Sequence, residues 1–339
     1  MARGVSVIIA CFNSEKVIEK TLIHLQNQIK TKEIDWEVIL VVNNCTDNTA
    51  EVAAAQWAAN PVVKLNIIEE KKVGESNARR AGFRIAQYDV LSIVDDDNRV
   101  SEDWIFNIFT YFQNTEIGMV GCAGDGDFEE NPPSWFYEHQ NAFAIGKLYS
   151  GDFIDITSDA IVPGAGMSFR KSIIDFLNSI QWEPFLQGRV GNKQSAGADS
   201  ELCYITRLLG YKIFYSNQLH FKHFTARHRI SWERLENMTN GFGESDVFTL
   251  PYKILYEESI GKNLIINKLR KVWWFNYFGK KISFFLKNPS FKFDSNLQTS
   301  QKLHYIRNSA FCRNILLEKK RFTESFDYLK AISKKQKSL

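Results

Sequence analysis

The chain has 339 residues, 44% of them hydrophobic and 24% charged, ordinary proportions for a globular protein of one or two domains plus an extension. Five scattered cysteines (Cys11, Cys45, Cys122, Cys203 and Cys312) with no Cys-x-x-Cys pair argue against a disulfide framework or a zinc site, and for a reducing cytosol. The net charge of +3 hides an asymmetry, since residues 251–339 sum to +13 and the first 250 to −10; a basic tail suggests an anionic partner surface.

Met1-Ala2-Arg3-Gly4 runs directly into a strand and no run of 18 apolar residues occurs, so neither a signal peptide nor a membrane span is expected. Val5–Cys11 is the first strand. Asn13-Ser14 is positioned to cap a helix whose apolar positions Val17, Ile18, Leu22 and Leu25 keep helical spacing. Trp36–Val42 is a second strand, ending in the polar turn 43–49 before an Ala-rich helix over 49–59. Val63–Ile68 makes a third strand and 75–87 a third helix. Four strand–helix alternations with long crossovers predict a parallel sheet with right-handed connections.

The fourth strand, Val90-Leu91-Ser92-Ile93-Val94, stops at three adjacent carboxylates, Asp95-Asp96-Asp97. Ligands of open α/β sheets bind at the carboxyl ends of strands, and burying unpaired anions costs several kcal/mol, so this cluster calls for a cation or for solvent. Asp95 and Asp97 are two apart, and in an extended segment both address one side, as a divalent-cation site needs. The competing reading is an acidic N-cap for a helix starting near Ser101. No Gly-x-Gly-x-x-Gly follows the first strand and no P-loop occurs, which removes most of the case for a dinucleotide oxidoreductase or a P-loop enzyme.

Four blocks, Val7–Asn13, Val41–Thr49, Gly74–Gly82 and Asp95–Asp97, resemble in order the family 2 glycosyltransferases of the GT-A fold. The resemblance implies a Rossmann-like, mostly parallel sheet flanked by helices over 1–225. Residues 1–100 would form the nucleotide-sugar half and 101–225 the acceptor half; beyond the resemblance, 226–339 reads as a basic, aromatic-rich helical region. The resemblance also implies an inverting, metal-dependent transfer from a nucleotide-diphosphate sugar to a glycan acceptor, in surface polysaccharide or glycan assembly; only the basic tail suggests a lipid-linked acceptor. Asn43 stands where the family has an Asp that contacts the base; an amide can still pair with a base edge. The donor is expected against Ala10, Phe12, Asn13, Asn43, Arg79, Asp95 and Asp96, with the diphosphate near Arg79. Mn²⁺ or Mg²⁺ is expected on Asp97 and Asp95.

Gly118–Ala123 reads as a further strand and 124–151 as irregular. Trp135, Phe136 and Tyr137 either shape a sugar pocket or belong to the core. Ile161–Arg170 resembles the family block beside donor sugar and acceptor, with Gly164, Ala165 and Gly166 allowing close backbone approach. Residues 182–198 form a loop of lid-like length. In the helix that follows, Asp199 matches the family's catalytic base, while Ala198 replaces the Glu before it; without the resemblance, Asp199 is an acid favoured by a helix N-terminus.

After a strand over Tyr211–Ser216, His223 fits the family's further metal ligand better than His220, and Arg227 or Arg229 suits the diphosphate. From about 225 the resemblance fades. Trp273–Lys287 interleaves aromatics with lysines, the pattern of a helix lying on an anionic membrane, placing the protein in the cytoplasm or on the inner membrane face. Packing on the body is the rival reading, and nucleic acid is not the expected partner. Two other function classes remain: a nucleotidyltransferase, which would normally carry a basic Gly-rich loop after the first strand, and a non-catalytic sugar-binding module.

Overall fold

Both faces of the segment Gly4–Cys11 are buried, as a central parallel strand requires. In the computed structural model, which describes residues 2–158, 161–186, 197–287, 294 and 298–336, this strand (β1) opens a regular alternation. It is followed by α1 (Ile18–Gln26), β2 (Asp35–Asn43), α2 (Thr49–Ala59), β3 (Leu65–Glu70), α3 (Glu75–Ile85) and β4 (Val90–Ile93). Then come β5 (Asn98–Val100), α4 (Trp104–Tyr111), β6 (Ile117–Phe128), α5 (Ser134–His139), β7 (Phe153–Asp155), β8 (Ser168–Arg170), α6 (Lys171–Ser179) and, later in the chain, β9 (Lys212–Thr225).

Among the described residues these strands form one sheet in the order β3-β2-β1-β4-β8-β6-β9-β5, with β7 paired to β9. The first four strands are mutually parallel. β8 runs antiparallel to both β4 and β6, and β9 is parallel to β6. β6 and β9 therefore point the same way as β1–β4, and six carboxyl ends share one edge. The short β5 lies antiparallel on β9 and sets Asn98 opposite His223.

One core cluster lies against a single face of this sheet and includes Val5, Val7, Ile9, Leu22, Leu25, Trp36, Trp104 and Phe221. Trp104 is fully buried, and its indole N–H donates to Ser92 Oγ at 3.1 Å, so the largest core side chain leaves no polar atom unsatisfied. Burying each such side chain stabilises the fold by about 1.5–3 kcal/mol.

Three local expectations change. Ser14 does not cap α1 through its hydroxyl, which turns instead to Asp96; Val17 and Ile18 donate to the Ser14 carbonyl. The carboxylates do not cap a helix, because β5 intervenes and α4 begins at Trp104. The irregular stretch expected from 124 is strand as far as Phe128, since β9 offers Gly124–Phe128 a continuous parallel partner.

The second compact unit consists of the described residues of 183–210 and 231–339; the first holds those of 1–182 and 211–230. The second unit is helical. It contains α7 (Ala198–Leu208), α8 (Trp232–Ser259), α9 (Leu264–Arg270), α10 (Trp273–Lys287), α11 (Ser300–Leu317) and α12 (Lys319–Gln336). Ser231 caps α8 by accepting from the Arg234 amide at 3.1 Å. Within the expected 182–198 loop, residues 187–196 lie outside the described residues.

Gly166 sits at φ +75°, where an added Cβ would stand 2.5 Å from Cys122 Sγ and 2.9 Å from the Phe221 ring. Gly166→Ala is expected to destabilise the first unit by about 1–3 kcal/mol, from left-handed strain plus overpacking, as read by the denaturation midpoint.

Candidate active site

β4 ends at Ile93, and the acidic residues occupy a turn closed by the bond from Asn98 N to Asp95 O at 3.0 Å. The extended arrangement expected for Asp95 and Asp97 is thus replaced by a tight turn, because the chain must reverse here to pair β5 with β9. Each carboxylate then meets its own surroundings.

Asp95 Oδ1 accepts from Arg79 Nη2 at 3.1 Å, and the same guanidinium reaches Glu75 Oε1 at 2.5 Å. Asp96 is half-buried and accepts from the Ser14 hydroxyl; desolvation of its carboxyl, then the neighbouring Asp97 charge, pushes its pKa up to about 7. Asp97, 6% exposed, binds Arg229 Nη1 through Oδ2 at 2.5 Å, and His223 Nε2 lies 3.5 Å from Oδ1. Burial works to raise the Asp97 pKa, but His223 and Arg229 outweigh it and hold the group ionised below the usual carboxylate range.

β9 supplies His223 and the short turn Arg227–Arg229 supplies Arg229. The pairing of β5 with β9 brings both to the acidic turn: Phe224 N donates to Asp97 O at 3.0 Å. Strand alternation sends His220 the other way, where its ring contacts the Gln218 carbonyl. Arg227 is engaged elsewhere, by Glu129 and Glu130.

At the ends of β1 and β2, Phe12 is 59% exposed while Ala10 is partly covered. Asn13 has φ +54° and accepts from Thr46 N at 2.8 Å. Asn43 is 5% exposed; its amide donates to Glu70 O and Lys72 O and accepts from Gly74 N at 2.9 Å. Both amide hydrogens are engaged by the turn into α3, so Asn43 braces that turn.

The Gly164–Gly166 segment lies beside the end of β4, where Ile93 N donates to Met167 O at 2.8 Å. Ala165 and Gly166 are buried. Of the three adjacent aromatics, Phe136 is wholly buried and belongs to the core, Trp135 is half-buried, and Tyr137 is 56% exposed.

Asp199 lies in the second unit, in the first turn of α7 after Gly197 at φ +103°. Two residues on, Glu201 is wholly buried. It accepts from Phe185 N (3.0 Å), Leu186 N (2.8 Å) and the Tyr252 hydroxyl (2.9 Å), tying α7 to α8 and to the segment before it. Burial pushes its pKa up to about 7 against the pull of those three donors.

Sequence reading missed two features at the acidic edge. Ser14 shelters Asp96, and Arg99 of β5 forms an ion pair with Asp127 at the end of β6 while its guanidinium stacks 5.3 Å from the Phe224 ring. The Gly124-Asp125-Gly126-Asp127 run carried the signal for the second, an acid at yet another strand end.

Oxygen and imidazole donors suit a hard divalent cation, and two buried atoms of the trio, Asp97 Oδ1 and His223 Nδ1, have no hydrogen-bond partner. Among the described residues, however, no three His, Cys, Asp or Glu side chains are grouped to hold a metal ion. Arg79 and Arg229 neutralise Asp95 and Asp97 in their place.

A mixed sheet with helices on its faces and a charged cluster where the strands end is the architecture of GT-A glycosyltransferases. Solved structures share it at low identity. Pyrobaculum calidifontis mannosyltransferase PcManGT in complex with GDP-Man and Mn²⁺ aligns with TM-score 0.54 at 16% identity, covering 93% of this chain and 87% of that one. S. aureus TarS 1–349 in complex with UDP-GlcNAc aligns with TM-score 0.52 at 14% identity, covering 96% and 92%.

The model of glycosyl transferase family 2 matches residues 6–177, half of the chain, and the protein belongs to that family. Curated relatives include glycosyltransferase GlyG of Streptococcus pneumoniae serotype 4, 27% identical over 149 residues. Another is the poly-beta-1,6-N-acetyl-D-glucosamine synthase of Staphylococcus aureus (strain COL), 28% identical over 118 residues. These matches take in 44% and 34% of this chain and span only 48% and 27% of the relatives' lengths.

Two titrations follow. The His223 pKa is raised: burial and Arg229 push it down, and Asp97 more than offsets them. Stability from this pair is therefore full below the unfolded histidine value near 6.5 and is lost as pH rises through the folded one. In Asp97→Asn the largest raising influence is gone and Asp95 alone is left against burial and Arg229, so the His223 ring measured by NMR should titrate lower than in the wild type. Glu201 has a raised folded pKa of about 7, so its stabilising share should fade as pH climbs from about 4.5 to above 7. The slope of thermal midpoint against pH over that window should flatten in Glu201→Gln.

Proposed function

We propose that the chain transfers a sugar from a nucleoside-diphosphate donor to a hydroxyl acceptor with inversion at the anomeric carbon. The observation that carries the reading is the Asp97–His223–Arg229 cluster, built round a buried carboxylate on the carboxyl edge of the sheet, inside a family 2 chain. The ends of β1 and β2, with exposed Phe12 and the turn braced by Asn43, are assigned to the nucleotide, and Arg79 and Arg229 to the diphosphate.

Asp95, Asp97 and His223 would hold Mn²⁺ or Mg²⁺, whose chemistry would be to offset the negative charge growing on the departing diphosphate. The orphaned Asp97 Oδ1 supports this assignment, and Arg229 competes with a cation for the same carboxylate. Asp199 is assigned the proton of the acceptor hydroxyl, as an inverting displacement requires a base on the face opposite the leaving group. Gly164–Gly166 and Trp135 are assigned to the acceptor side.

A glycan or lipid-linked sugar is the proposed acceptor, in surface polysaccharide assembly. That setting draws on the synthase among the curated relatives. Five free thiols suit a cytoplasmic, reducing location.

A panel of UDP- and GDP-sugars with and without Mn²⁺ or Mg²⁺ tests the reading through release of nucleoside diphosphate. Divalent-dependent turnover of one donor is expected. Asp199→Asn should lower that turnover by about 10²–10⁴-fold while donor affinity stays within about twofold. Undiminished turnover in that variant defeats the assignment of Asp199.

A further inference from the structure

Residues 260–287 contain seven Lys or Arg and no Asp or Glu. Within them, α10 is held on one side and bare on the other. Its Phe284 ring lies 5.4 Å from His304 and 5.6 Å from Tyr305 of α11, and Lys280 Nζ sits 5.1 Å from the Phe311 ring centre. Asn276 donates to the carbonyls of Arg270 and Val272, tying the start of α10 to the end of α9. Across the helix, Trp274, Phe278, Ile282 and Phe285 recur at spacings of four, four and three, which is one helical face. They are 48%, 54%, 58% and 68% exposed. On α9, Ile265 is 84% exposed.

The cations divide the same way. Arg270 and Lys271 pair with Glu257 and Glu258 of α8, whereas Lys262, Lys268, Lys281 and Lys287 are exposed. A solvated protein surface rarely leaves such a stripe open without a partner.

We propose that the α9–α10 face docks on an anionic lipid bilayer. The Trp274–Phe285 stripe would enter the interfacial layer, and the exposed lysines would lie against acidic headgroups. Charge selects this occupant over a second copy of the chain, because two such faces would bring exposed lysines together. Aromatic and aliphatic side chains in one stripe, flanked by long cationic side chains whose methylenes lie along apolar surface, is the composition of an interfacial helix. Among the described residues no helix is long and apolar enough to cross a membrane, so this face would bind a surface. The inference goes beyond sugar transfer and stands apart from it: donor turnover in solution reads one, vesicle binding the other.

The full chain is sedimented with vesicles of phosphatidylglycerol and phosphatidylcholine, and with phosphatidylcholine alone, at low and high salt. Binding to the anionic vesicles, weakened by salt, is expected. The exposed-site variants F278S/I282S/F285S and K281E/K287E should each weaken it roughly tenfold or more, with circular dichroism and donor turnover unchanged. Absent binding to anionic vesicles, or equal binding by both variants, overturns the proposal. So does a wild-type dimer in light scattering that the serine variant converts to monomer, since a second copy then covers the face.

Discussion

Three carboxylates in sequence where a central strand ends constitute the constraint around which the first unit is built. Asp97 is buried and the other two are half-buried, and neighbouring anions in a poor dielectric repel strongly. The fold separates their fates. Asp97 is kept ionised by a guanidinium and an imidazole, Asp96 is pushed toward neutrality beside a hydroxyl, and Asp95 faces Arg79. Each partner arrives on a different element: Ser14 from the turn after β1, Arg79 from α3, His223 from β9 and Arg229 from the turn beyond it. The sheet order, with β5 laid back on β9, is what lets these remote segments meet one turn.

This arrangement has a chemical consequence. A site balanced internally by arginine and histidine still keeps two buried polar atoms, Asp97 Oδ1 and His223 Nδ1, without a hydrogen bond. Such atoms cost free energy in the resting fold and are a common mark of a site shaped for something it binds. The same guanidinium that steadies Asp97 is of the type that grips a diphosphate, so one residue is suited to both conditions.

The helical unit has a different logic. Glu201 is buried in the first turns of α7, and three donors from two other segments converge on it. That knot orders the helix on which Asp199 sits. Farther along, α8, α11 and α12 share a core while α9 and α10 leave an apolar stripe uncovered, so this unit combines a packed interior with a surface whose composition asks for a partner.

Much of this could be read from the chain alone. Continuous apolar runs of strand length, the crossover lengths and the block order defined the β1–β4 alternation and the family, because local pattern and short-range geometry dictate both. Strand alternation set His220 and His223 on opposite sides, and the family resemblance pointed to His223 as the one at the acidic turn. Other features depended on long-range placement. The amide of Asn43 satisfies a turn formed by residues 27 to 31 positions away, Arg229 reaches Asp97 across 132 residues, and the strand over 124–128 exists only because β9 lies beside it. Residue types and spacings tell which chemistry is on offer, while the partner each polar atom takes is decided by tertiary topology, since buried groups must be satisfied by whatever the fold brings within about 3 Å.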